Sequence, residues 1–191
     1  MNKERKVIEP GTVIYFDRSV KGEELRDLSE ESLIVVINGD LTLKEDFYFK
    51  GDLYVIGNIS GDRNIFIEGS LWCNEEINVE NIEVTSDFEI YDDIEAYDIS
   101  VNGDFYATIA CINASKIRVG GSFYAGDISS FEICVGGNFC CEEVDTNSCN
   151  IDVAGDFECT RGGVNACSCL TVLGKLCVEG DIEADVIIVG Y

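Results

Sequence analysis

The residue types in this sequence that could do chemistry are carboxylates and thiols, and their spacing is regular. Asp87, Asp104 and Asp156 each stand directly before a Phe, and Asp40 and Asp52 each stand directly before a Leu. Ser70, Ser122, Asn138 and Lys175 hold the same place before Leu71, Phe123, Phe139 and Leu176. If these positions stack, they form one outward column of acids. Carboxylates are hard oxygen ligands, so such a column could hold calcium. The Gly-Gly-x-Gly-x-Asp repeat of calcium-loaded β-rolls does not occur, however. The chain has 10 Cys and no His. The commonest general base, the commonest metal ligand and the usual pH switch are therefore all missing. A nucleophilic Cys lacks its usual partner. Neither Cys140-Cys141 nor Cys167-Ser168-Cys169 has the spacing of a zinc site. No catalytic residue, metal site or cofactor is expected.

The elements that would position these residues follow from an internal repeat. The pattern Ile-x-Val-x-Gly-x-Phe occurs at Ile99, Val101, Gly103 and Phe105, and again at Ile117, Val119, Gly121 and Phe123. It returns at Ile133, Val135, Gly137 and Phe139, and at Ile151, Val153, Gly155 and Phe157. Variants start at Ile65, Ile82 and Leu170. A second apolar group, Ile-x-Ala-x-x-Ile, links one repeat to the next at Ile94, Ile112 and Ile182. Alternation at every second residue means strand with one buried face. Strands this short cannot bury that face alone, and stacking identical turns solves the problem. The sequence therefore predicts an all-β chain, a right-handed single-stranded parallel β-helix with turns of about 17 residues. Phe, Ile and Val fill the interior, and the repeated Gly marks a bend. Gly39-Asp40-Leu41 and Gly51-Asp52-Leu53 lie 12 residues apart, which suggests one shortened turn or a bulge.

Residues 1–32 break the repeat and are expected to form an N-terminal cap, with the solenoid over 33–191. Val13, Ile14, Tyr15 and Phe16 suggest a strand there, and residues 23–29 a short helix. Ile187, Val189 and Tyr191 look like a new turn that stops, so the C-terminal end is a candidate for self-association. The aromatic side chains Tyr54, Trp72, Tyr91, Tyr97, Tyr106 and Tyr124 point outward by the alternation. Tyr106 and Tyr124 lie one turn apart and form a candidate partner-binding patch.

The charge is extreme, with 13 basic against 37 acidic residues and a net of −24. Residues 1–32 are nearly balanced, so the acidity belongs to the repeat. Such a field repels nucleic acid and anionic membrane and attracts basic partners. No secretory signal or membrane-spanning run is visible, and the thiols suit a reduced cytoplasmic setting.

The stretch Gly-Asp-Ile-Glu-Ala-Asp-Val-Ile-Ile-Val-Gly at 180–190 resembles the turns of bactofilins. So does the stretch with Ile112, Ala114, Ile117, Val119 and Gly121. The resemblance spans about residues 65–190 and implies a β-helical protein that self-assembles end to end as a homo-oligomer. The repeated Phe and the folded N-terminal segment depart from that family. The residues themselves favour a non-enzymatic acidic solenoid that binds a partner with a basic surface. A rod with regularly spaced carboxylates resembles the phosphate array of a duplex. It could therefore act as a nucleic-acid mimic that inhibits a basic nucleic-acid-binding target. The contact residues would be Asp40, Asp52, Asp87, Asp104 and Asp156.

Overall fold

The computed structural model describes residues 11–28, 33–146, 150–166 and 168–190. The chain winds into a β-solenoid of about 9 parallel coils spaced about 18 residues apart. Each regular coil has three sides. The first side stacks Val35, Leu53, Leu71, Phe88, Phe105, Phe123, Phe139, Phe157 and Leu176 in one inward column. The second stacks Val20, Leu41, Ile59, Ile77, Ile94, Ile112, Ile128, Val144, Val164 and Ile182. The third stacks Phe47, Ile65, Ile82, Ile99, Ile117, Ile133, Ile151, Leu170 and Ile187. The expected stacking of Phe on Phe and Ile on Ile is thus observed.

The Phe column shows why the pattern recurs. Successive rings from Phe88 to Phe157 lie 4.7–5.0 Å apart and within 8° of parallel. Strand spacing and ring stacking distance nearly coincide, so one register satisfies both. Each of these rings is at most 1% exposed, worth about 3 kcal/mol of transfer per side chain.

One expectation about the corners needs correction. Gly39-Asp40-Leu41 and Gly51-Asp52-Leu53 belong to one coil and mark two different corners. Leu41 pairs with Val20 and Ile59 on the second side, whereas Leu53 pairs with Val35 and Leu71 on the first. No turn is shortened, because a three-sided coil uses the same corner chemistry twice. The repeated Gly lies in a bend, as expected, at Gly103, Gly121, Gly137, Gly155 and Gly174. Its backbone conformation differs along the rod, and Gly51 has φ +131°. Gly103 and Gly121 are not among the glycines with positive φ. A Cβ on Gly121 would instead lie 2.3 Å from Asp104 Oδ1 and 2.7 Å from the Gly103 carbonyl oxygen. The later glycines also serve the close approach of one coil to the next.

The first coil contains both strand and cap. Val13–Phe16 pairs with Ile34–Ile37, and Val20–Lys21 pairs with Leu41–Thr42, so stacking begins ahead of residue 33. Helix α1, Gly22–Leu25, then takes the place of the third side, followed by a 3-10 turn at Arg26–Leu28. Gly22 sits against the Leu43 and Phe47 side chains, and Leu25 is fully buried. The helix thereby covers the start of the third column. The Lys21 N–H donates to Glu24 Oε1 at 3.0 Å, and Arg18 pairs with Glu24 at 2.6 Å. That guanidinium holds the Glu24 carboxyl down at about 2.

Candidate binding face

The first side presents two outward rows. The corner row is the expected acidic column, and its carboxylates are built into the stack. Asp52 Oδ1 accepts the Ser70 N–H at 2.9 Å, and Asp87 Oδ1 accepts the Asp104 N–H at 2.9 Å. Asp104 Oδ1 accepts from Ser122 at 2.7 Å, and Asp156 Oδ1 from Lys175 at 2.8 Å. Asn138 does the same with its amide oxygen, accepting from the Asp156 N–H at 3.0 Å. One oxygen of each side chain therefore holds the next coil, which is why a short acceptor recurs before each Phe. Asp87 and Asp156 are exposed and Asp104 half-buried, so the carboxylates also present charge outward.

Asp40 stands outside this column, because it precedes the second side. It accepts the Asn58 N–H at 2.9 Å and the Asn58 side-chain amide at 3.2 Å, with Ser19 on its other oxygen. The Asn58 backbone N–H, its amide and the Ser19 hydroxyl hold the Asp40 carboxyl below the usual carboxylate range. The five aspartates thus divide into a row of four and one at a separate corner.

The second row on this side runs in register through Val36, Tyr54, Trp72, Glu89, Tyr106 and Tyr124. Tyr106 and Tyr124 stack at 5.1 Å and 2° from parallel. Tyr54 lies 6.3 Å from Trp72, and Tyr91 meets Trp72 edge-on at 5.8 Å. The Tyr91 hydroxyl donates to Glu89 Oε1 at 2.6 Å, and the Tyr106 hydroxyl to Asp104 Oδ2 at 3.2 Å. Burial and the Asp104 carboxylate push the Tyr106 phenol up, and Glu89 does the same to Tyr91. The acidic column and the aromatic patch are therefore one surface, and the patch is longer than Tyr106 and Tyr124. Its longer extent is also implied by the sequence, because Tyr54 and Trp72 lie at the same repeat position.

A bulge borders this surface. The strand Phe105–Val119 shifts register against Phe123–Val135 between Ala107 and Cys111. It leaves Ile109 71% exposed. Thr108 joins Glu89, Tyr91 and Tyr106 around a depression of about 300 Å³. Bulges commonly re-aim side chains beside binding sites. The sequence signal for it is spacing. The step from Phe105 to Ile112 is seven residues, against five from Phe123 to Ile128.

Alternation places Cys73, Cys141 and Cys159, each two residues after Leu71, Phe139 or Phe157, inward, and all three are buried. It places Cys134, Cys140 and Cys177 outward; Cys177 is exposed, whereas Cys134 and Cys140 are half-buried. Burial pushes Cys73 up to about 12, which leaves it a packing residue. Cys141 and Cys159 sit in register on adjacent coils. The hydrogen bond between them raises Cys141 and lowers Cys159. Among the described residues, no group of three His, Cys, Asp or Glu side chains could hold a metal ion. In the last described coil, Val186–Val189 pairs with Cys169–Val172 and all four of its residues are exposed, including the expected Ile187 and Val189. Tyr191 lies outside the described residues. No described helix is long and apolar enough to cross a membrane.

Comparison of the chain with protein-family models, with curated proteins and with solved structures finds no match.

Proposed function

We propose that this solenoid is a non-enzymatic binding module that docks a basic segment of a partner protein along its first side. The observation that carries this reading is the contiguity of the two rows, with Tyr106 bonded to Asp104 and stacked on Tyr124. Aromatic faces and carboxylates at one strand spacing suit Arg and Lys, which stack on rings and pair with carboxylates at once. A net charge of −24 speeds the encounter and repels nucleic acid itself. The same chemistry fits the basic channel of a nucleic-acid-binding protein, whose inhibition by mimicry is the sharper form of this proposal.

The test exploits Asn138, which shows that an amide oxygen can hold the next coil. Asp87→Asn, Asp104→Asn and Asp156→Asn together remove charge and keep the hydrogen bonds. Proteins captured from the source cell are identified by mass spectrometry, and binding is measured against salt and against competing DNA or RNA. The triple variant should bind a basic partner about tenfold more slowly, with a weaker salt dependence. Trp72→Ala with Tyr106→Ala should speed dissociation in addition. Equal binding by all these variants would refute the docking face.

A second reading rests on the exposed Val186–Val189 strand. Its open edge could pair with another copy, which would give the bactofilin-like assembly. Ile187→Lys should then lower the sedimenting mass of this chain, and a strictly monomeric chain at high concentration would exclude that reading.

A further inference from the structure

We infer that the corner between the second and third sides holds a separate cleft for a neutral saccharide. The strands run through this corner without a break in three successive coils, at Ile94–Val101, Phe105–Val119 and Phe123–Val135. Ala96, Ala114 and Ser130 stack there in register. Small side chains draw the surface inward. The residues that follow them are Tyr97, Ser115 and Phe131. Tyr97 is 65% exposed and Phe131 58% exposed, and Phe131 is the one exposed Phe among 10. The two aromatics therefore stand two coils apart, roughly 10 Å by strand spacing, with the small Ser115 between them. The cleft they flank measures about 370 Å³. The size suits a ligand of one or two rings.

The rest of the lining sets the class of ligand. Asn78, Glu95, Asn113 and Ser129 form an in-register polar row beside the aromatics. Glu80 completes the acidic groups, and no basic side chain lines the cleft. An anion is excluded by that lining and by the net charge of −24. Asn78 Nδ2 donates to Glu95 Oε2 at 3.0 Å, which leaves its second N–H for a ligand. A simple cation would use the carboxylates and waste that N–H and the amide of Asn113. Amides and hydroxyls both donate and accept, as each sugar hydroxyl does. The apolar C–H faces of a pyranose pack on exposed aromatic rings such as Tyr97 and Phe131. A neutral saccharide uses both features together.

The test is an array of neutral gluco-, xylo-, manno- and N-acetylglucosamine oligosaccharides with acidic glycans beside them, followed by calorimetry on the sugars retained. Neutral glycans should be retained, and Phe131→Ala and Tyr97→Ala should each weaken binding about tenfold with an unchanged circular dichroism spectrum. Ser115→Trp, which fills the gap, should cause the same loss. Trp72→Ala should leave sugar binding intact, so this site and the partner-docking face fail independently. Retention of acidic glycans alone, calorimetric binding of tetramethylammonium without any glycan binding, or glycan binding that survives the Tyr97→Ala/Phe131→Ala double variant would each overturn the proposal. So would an array with no neutral glycan bound.

Discussion

Two corners of the same coils differ in how much of their sequence repeats. At the corner before the first side, the same few residue types recur up the rod, an acceptor at Asp87, Asp104, Asn138 or Asp156 and a Gly one coil above it. Each acceptor bonds the coil above, and each Gly leaves the room that this bond needs. At the corner between the second and third sides, the residues change with every coil, from Glu80 to Tyr97, Ser115 and Phe131. Glu80, Tyr97 and Phe131 face solvent, and at their position the backbone makes the coil-to-coil bond, as from the Tyr97 N–H to the Glu80 carbonyl, whereas the next residue along keeps the acceptor device, with Asn81 Oδ1 accepting the Asp98 N–H at 3.0 Å. In a solenoid, repetition marks what stacking requires. Variation marks positions that stacking leaves free, and binding chemistry can occupy those.

The comparison can be broken most strongly inside the repeating column. Phe123→Ala empties a fully buried site between two stacked rings and should cost about 3–5 kcal/mol, measured by urea denaturation. Gly121→Ala comes next, at about 2 kcal/mol or more, because its Cβ meets both Asp104 and the Gly103 carbonyl. Pairing it with Asp104→Ala relieves the carboxylate but not the backbone, so the double variant should recover only part of the loss. Asp104→Ala by itself orphans the Ser122 N–H and should cost about 1 kcal/mol, whereas Asp104→Asn should be nearly neutral.

Asp40 gives a pH signature at the other Gly-Asp corner. Its carboxyl titrates below the unfolded value of about 4. The stability it contributes is therefore complete above that value and is lost as pH falls through the folded one. Asp40→Asn should flatten this part of the acid-unfolding profile. Smallest of all should be Phe131→Ala and Tyr97→Ala, within about 0.5 kcal/mol of the parent, since both rings are exposed. A large loss at either would mean that the variable corner also holds the stack, and the contrast between the corners would fail.

Much of this protein is dictated locally. Period-two alternation assigns the inward face, and the 16–19-residue step forces identical residues into columns. Phe88 through Phe157, the buried Cys73, Cys141 and Cys159, and the outward Tyr106 and Tyr124 were all legible on that basis. Three-sidedness was only half legible: the repeat length allows two or three short strands per turn, and alternation tells inside from outside without choosing between them. Asp40 and Asp52 consequently looked like one column, and only the pairing of Leu41 with Val20 and Leu53 with Val35 separated them. The second role of each aspartate also depended on tertiary structure. The Oδ1 that holds the next coil and the Gly that makes room for it are some 17 residues apart. They meet only when the coils stack. The cleft flanked by Tyr97 and Phe131 has the same origin, since its two rims belong to coils that the sequence lists 34 residues apart.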